Sequence, residues 1–270
     1  MKRTICLILI LAFSLSILFF TSAFLAGAKR TVVLESAETP VIPKPEISKS
    51  DFAARCRIEF DQAESKRIIS AEDAYELVNL YSSGIDRDRY EGEMREAGLF
   101  VYSSVEVESD AAAGLTSGAI IYNCALDQWI ITFSGGWSDI DIIAKRTPFT
   151  PFPTAGKRVS IGGHDSLAIE LSSPSGEAPS MLDSFIRLSE TSLADSEIIR
   201  GPESYADLKG VVYRFDDCVT FNGWQLFGYD LSYRGAAFSV TAVYNSVFAN
   251  FNAEVSGAYV HSYSTLKVAR

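Results

Sequence analysis

The spacing of apolar and polar positions divides the chain into four stretches. The first, residues 1–28, holds an unbroken uncharged run from Thr4 to Ala28, with Lys2-Arg3 before it and Lys29-Arg30 after it. This is the pattern of an export segment. A basic start, an apolar region from Ile5 to Phe20 and an Ala26-Gly27-Ala28 site fit a cleaved signal peptide. Residues 5–28 are also long enough to remain as a transmembrane helix that anchors the protein. Lys2-Arg3 would then face inward. The small-x-small site favours cleavage. Either outcome carries the rest of the chain across a membrane, to the medium or the cell envelope.

Residues 29–47 read as a proline-rich linker, because Pro40, Pro43 and Pro45 crowd one short stretch and proline fixes φ and lacks an N–H. Residues 48–97 read as a helical section. Ser50 is a candidate cap for a helix with Phe52, Cys56 and Phe60 on one stripe. Ser70 and Asp73 resemble a capping box, ahead of a face formed by Ala74, Leu77, Val78 and Tyr81, with Gly84 as a stop. A weaker helix is expected from Asp86 to Ala97.

Residues 98–270 carry strand patterning and form the body. Leu99 to Val107 alternates. Ile120-Ile121-Tyr122 and Trp129 to Phe133 flank a turn at Leu126-Asp127-Gln128 and predict a hairpin. Gly135-Gly136 is expected to break the next strand before Trp137 to Ile143. Val159 to Ile161 and Leu167 to Ile169, around Gly162-Gly163, predict a second hairpin. Met181 to Leu193 shows helical spacing at Met181, Leu182, Phe185 and Leu188. Strands are expected at 211–215, 219–221, 224–233 and 236–244. Over 246–267 the stripe Phe248, Phe251, Val255, Tyr259, Tyr263, Leu266 favours a helix. The fold class is therefore α+β: an antiparallel sheet body with packed helices after a helical N-terminal section.

Over residues 158–268 the order of elements resembles the PsbP-like arrangement. It comprises a strand-Gly-Gly-strand hairpin from Ile161 to Ile169, a middle helix, long antiparallel strands from Trp224 to Tyr244 and a final amphipathic helix. The resemblance implies an α/β sandwich and an exported accessory or binding protein with no chemistry of its own.

Composition narrows the partners. The chain is 47% hydrophobic and 21% charged, as ordinary globular proteins are. Its net charge of −10 argues against nucleic acid and anionic membrane surfaces, which need cationic patches. Membrane contact is expected only through the N-terminal segment. Beyond Cys6 the cysteines are Cys56, Cys124 and Cys218. Export permits disulfides, and Cys124 with Cys218, both in strand-rich stretches, is the expected pair. No Cys-x-x-Cys or Cys/His cluster supplies a zinc site, and no cofactor is expected.

Candidate chemistry is thin. His164-Asp165-Ser166 after Gly162-Gly163 is turn chemistry. His261 is expected at a helix edge. Asp139 and Asp141 alternate on one strand and so share a face, which makes them the candidate metal pair or acid and base. Trp137 and Trp224 each follow glycine, and Phe149 and Phe152 lie in a proline-rich loop. These four aromatics are the candidate platform for a protein or glycan. The expected role is a non-enzymatic binding protein of the envelope or medium. An exported hydrolase using carboxylates is the alternative.

Overall fold

The structure, a computed structural model, describes residues 29–36, 39–84, 86–107, 113–137, 156, 158–160, 164–174, 179–189, 197–201, 210–216, 218–225 and 228–267. The expected export segment, residues 1–28, lies outside them. Among the described residues no helix is long and apolar enough to cross a membrane.

The chain opens with strand β1 (Lys29–Ser36) and three helices, α1 (Lys49–Gln62), α2 (Ala71–Ser82) and α3 (Arg87–Glu96). Strands follow: β2 (Leu99–Glu106), β3 (Ala113–Asn123), β4 (Gln128–Trp137), β5 (Arg158–Ser160), β6 (Asp165–Ser172) and β7 (Met181–Ser189). The last are β8 (Glu197–Arg200), β9 (Gly210–Phe215), β10 (Cys218–Gln225), β11 (Gly228–Arg234) and β12 (Ala237–Asn245), then a 3-10 turn (Ser246–Asn250) and β13 (Glu254–Lys267). The fold is α+β.

Three sheets form, with every described pairing antiparallel. The largest runs β2-β3-β4-β12-β7-β8, the second β1-β13-β6-β9, and a small one β11-β10-β5. The second sheet shows the simple pattern. Along β6 the inward residues Asp165, Leu167, Ile169 and Leu171 alternate with more exposed ones, as a half-buried strand must. The large sheet differs because both of its faces are covered. Ile120, Tyr122, Trp129, Ile131, Phe133, Val240 and Tyr244 pack toward the second sheet. Their neighbours Ala119, Ile121, Ile130 and Val243 pack against Ala74, Leu77, Val78, Tyr81 and Met94 of α2 and α3. Strands with two buried faces read as continuous apolar runs, which is the reason for Trp129-Ile130-Ile131-Thr132-Phe133.

Helix α2 starts where its sequence predicts. Asp73 N donates to Ser70 Oγ at 3.1 Å, and Asp73 returns the contact to the cap backbone. It ends at Gly84, which adopts φ +78°, a conformation that costs glycine little. Helix α1 is capped by Ser48 rather than Ser50. It closes one end of the space between the sheets, where Phe52 lies against Tyr102 and Trp129.

Four local expectations are corrected. Residues 181–189 are strand β7, not a helix. The spacing of Met181, Phe185 and Leu188 came from burial on both faces, with Phe185 toward the helices and Ile186 and Leu188 toward the second sheet. Residues 246–267 hold a 3-10 turn and a long strand, so Val255, Gly257, Tyr259 and His261 alternate inward. Two elements of the PsbP-like order, its middle and final helices, are therefore strands here. The Val159 and Leu167 segments do not pair, because β5 joins β10 while β6 lies between β13 and β9. Finally, Gly135-Gly136 does not break β4. A Cβ at Gly135 would lie 2.1 Å from Gly114 O, and one at Gly136 2.7 Å from Ala236 O, so the glycines admit close neighbouring backbone.

The stretch expected as a linker takes part in the fold. β1 pairs with β13 along Lys29–Ser36. Ile42, only 4% exposed, belongs to the main core.

Candidate functional site

One end of the sandwich opens into a cavity of about 480 Å³. Its outer wall is the extended segment 39–44. Pro40 O accepts from Gly257 N at 3.0 Å, and Ile42 N donates to Val255 O at 2.9 Å, which fastens the segment to β13. Ser103 Oγ donates to Pro43 O at 2.6 Å, and Tyr102 OH to Ile47 O at 2.8 Å, which fastens it to β2. Proline suits this wall at Pro43, whose missing N–H falls on the position turned away from β13, whereas Pro40, on the same side as Ile42, meets β13 through its carbonyl alone. Tyr102 and Ile120 form the floor. Ser172 at the end of β6, Ser173 and Pro174 after it, and Asn252 to Val255 before and within β13, complete the rim.

Two ammonium groups meet in this cavity. Lys49, at the first position of α1, is only 9% exposed. Its Nζ donates to Phe251 O at 2.7 Å and sits 4.6 Å over the Phe248 ring. Burial, and then the neighbouring charge of Lys44, lower its pKa from 10.5 to about 8. Lys44 Nζ donates to Asn252 Oδ1. The N-terminal end of α1 adds its partial positive charge in the same place. A chain of net charge −10 thus brings two lysines together beside hydroxyls and an amide, against one carboxylate in the lining, Glu254. A carboxylate, sulfate or phosphate group placed here would relieve the repulsion between the two lysines.

A second polar cluster lies inside the fold. Asp165, 1% exposed, occupies the first inward position of β6. Continuing the β6–β13 register one step sets it opposite His261. Its Oδ1 bonds His261 Nδ1 at 2.9 Å and accepts from Ser262 N at 3.0 Å, while Oδ2 accepts from Tyr259 OH at 2.8 Å. Trp137 stands edge-on to the His261 ring at 4.7 Å and to Tyr233 at 5.7 Å. His261 is therefore buried, at 2% exposure, and not at a helix edge. Asp165 is a core acceptor and not a turn residue. His164, beside it, points outward and pairs with Asp216 at 2.7 Å.

Of the predicted site residues, Trp137 is partly buried against Tyr233 and His261. Trp224 lies in β10 opposite Tyr229. Phe149, Phe152, Asp139 and Asp141 lie outside the described residues. Cys218 is in β10 of the small sheet, whereas Cys124 follows β3 in the large one. Among the described residues no group of three or more His, Cys, Asp or Glu side chains converges. The cavity was not legible in the sequence because its lining comes from six separated stretches. The one available signal was Lys44 and Lys49 close together in a chain that is acidic as a whole. No protein-family model matches the chain, and no curated protein matches it significantly.

Proposed function

We propose that this is an exported, non-catalytic binding protein that holds an acidic glycan in the cavity beside Lys49. The observation that carries the reading is the meeting of the Lys44 and Lys49 ammonium groups in a cavity that also offers Ser172, Ser173, Asn252 and the Tyr102 ring. Hydroxyl and amide donors match sugar hydroxyls, and a cation matches a sugar carboxylate. The volume accommodates one or two sugar residues. The rim is fixed by backbone hydrogen bonds to β13 and by side-chain hydrogen bonds from β2, so the site is ordered before the ligand arrives.

Calorimetric titration with a uronate-containing oligosaccharide and its carboxyl-reduced neutral counterpart tests this reading. The acidic sugar should bind at least about tenfold more tightly. Lys49→Met should lose that preference while keeping the fold. Equal binding of both sugars, or an unchanged preference in the variant, rejects it. Mass spectrometry of the recovered oligosaccharide should show an intact chain. Cleavage products would favour the hydrolase alternative.

A further inference from the structure

Helix α1 is fastened at three points: to the end of β3, to the β3–β4 turn and to Gly98 before β2. Arg57 Nε donates to Tyr122 OH at 2.7 Å, and the Arg57 guanidinium pairs with Asp127. The Phe60 ring packs where a Cβ on Gly98 would lie 3.2 Å away. Gly98 O in turn accepts from Cys124 N at 2.8 Å. Within this frame Cys56 is buried in the main core and Cys124, partly buried, packs against the same core; both are free thiols, each the side-chain hydrogen-bond partner of the other.

We infer that Cys56 and Cys124 form a disulfide in the exported protein, a covalent staple between the first helix and the large sheet. The assignment rests on the export reading for its oxidant. It replaces the Cys124–Cys218 pair with a neighbour already in contact.

The chemistry is thiol–disulfide exchange with a donor disulfide, such as that of a dithiol oxidase on the exported side. Cys124, the more accessible thiol, loses its proton and attacks one donor sulfur, giving a mixed disulfide and a donor thiolate. Cys56 loses its proton and attacks the Cys124 sulfur. The Cys56–Cys124 bond forms and the second donor sulfur leaves. The two released protons and two electrons end on the donor, which becomes a dithiol. The packing helps the second step, because it holds the Cys56 sulfur beside the Cys124 sulfur that it attacks. A metal is a poorer occupant, since no third ligand joins the pair among the described residues.

The test is made on purified protein in a glutathione redox buffer, which supplies the oxidant whether or not the chain is exported and needs no sugar. Free thiols are blocked and the peptides mapped. The expected result is a Cys56–Cys124 cross-linked peptide with Cys218 outside the link. Reduction should lower the Tm by on the order of 10 °C. Cys218→Ser should keep that reductant-dependent shift, and Cys56→Ser and Cys124→Ser should both lack it. A Cys124–Cys218 peptide, or Cys56 and Cys124 both blocked as thiols after oxidation, overturns the assignment. Should a serine variant fail to fold, the wild-type map alone decides. Loss of the bridge with sugar binding intact refutes only the bridge, and the converse refutes only the glycan reading.

Discussion

At Lys49 two demands conflict: the side chain is buried, and the cavity it lines works only if it is charged. Its pKa of about 8 against 10.5 in water fixes how the conflict varies with pH. Below pH 8 both the folded and unfolded chains hold the proton, and the cost of burying the charge is constant. Between pH 8 and 10.5 the unfolded chain holds a proton that the folded chain has released, so stability from this group rises with pH. Denaturant titrations of the wild type and Lys49→Met should show it. The variant should be the more stable by about 1–3 kcal/mol at pH 7, and the gap should narrow toward pH 10.5. Affinity for an acidic sugar runs the other way. It should be full below pH 8 and weaken above it, because the anion selects the ammonium form. A gap that stays constant with pH rejects this account of Lys49. Asp165 poses the opposite case, a buried carboxyl group with its acceptor capacity met by Tyr259, His261 and Ser262. Asp165→Ala leaves all three donors without that acceptor and should cost about 3–5 kcal/mol in urea unfolding. His164→Ala, one residue away and exposed, removes a surface contact with Asp216 and should cost less than about 1 kcal/mol. Similar costs at the two positions would mean the interior cluster is not the anchor described.

Between elements, the tightest side-chain contact at a described glycine is made by Phe133 of β4. A Cβ on Gly118 of β3 would lie 2.5 Å from its ring, and one on Gly257 of β13 also 2.5 Å. Gly257 is thus the point where the second sheet approaches the large one over a single ring. Gly257→Ala should push the sheets apart and cost about 1–3 kcal/mol, read as a lower urea midpoint with an unchanged slope. A neutral effect would show that the ring can move aside. This contact also explains why β13 was hard to read. Its inward positions are Val255, Gly257, Tyr259 and His261, so a glycine and a histidine occupy two core positions and hide the alternation. Helix α2 was legible because its cap, apolar face and stop are all local to the sequence. β7 was not, because Ser184 and Arg187 look polar in sequence yet are buried with partners on other elements, Tyr213 and Glu76. The cavity and the Asp165–His261 contact depend on residues far apart in the chain, and no local pattern joins them.

For the molecule as a whole, the decisive point is that the body begins immediately after the expected export segment. β1 starts at Lys29 and pairs with β13 through Ser36, and segment 39–44 walls the cavity. The stretch expected to hold the body clear of a membrane is therefore used up in the fold. An uncleaved anchor would set the edge of the second sheet at the headgroups, and a chain of net charge −10 is repelled by an anionic surface. Cleavage after Ala28 removes that conflict and leaves β1 whole. The expected mature protein therefore starts at Lys29, is released by an alkaline wash of membranes, and has the intact mass of residues 29–270. A product that keeps Met1 and stays in the membrane rejects cleavage. A shorter form starting at Thr39 probes the same boundary from the other side. It lacks β1 and bares the hydrogen-bonding edge of β13, an open template for a second chain. It should melt lower and self-associate with concentration in light scattering, while the form starting at Lys29 should not. If the two forms melt alike and both remain monomeric, β1 is dispensable, and a tether between membrane and body becomes the better description of residues 29–38.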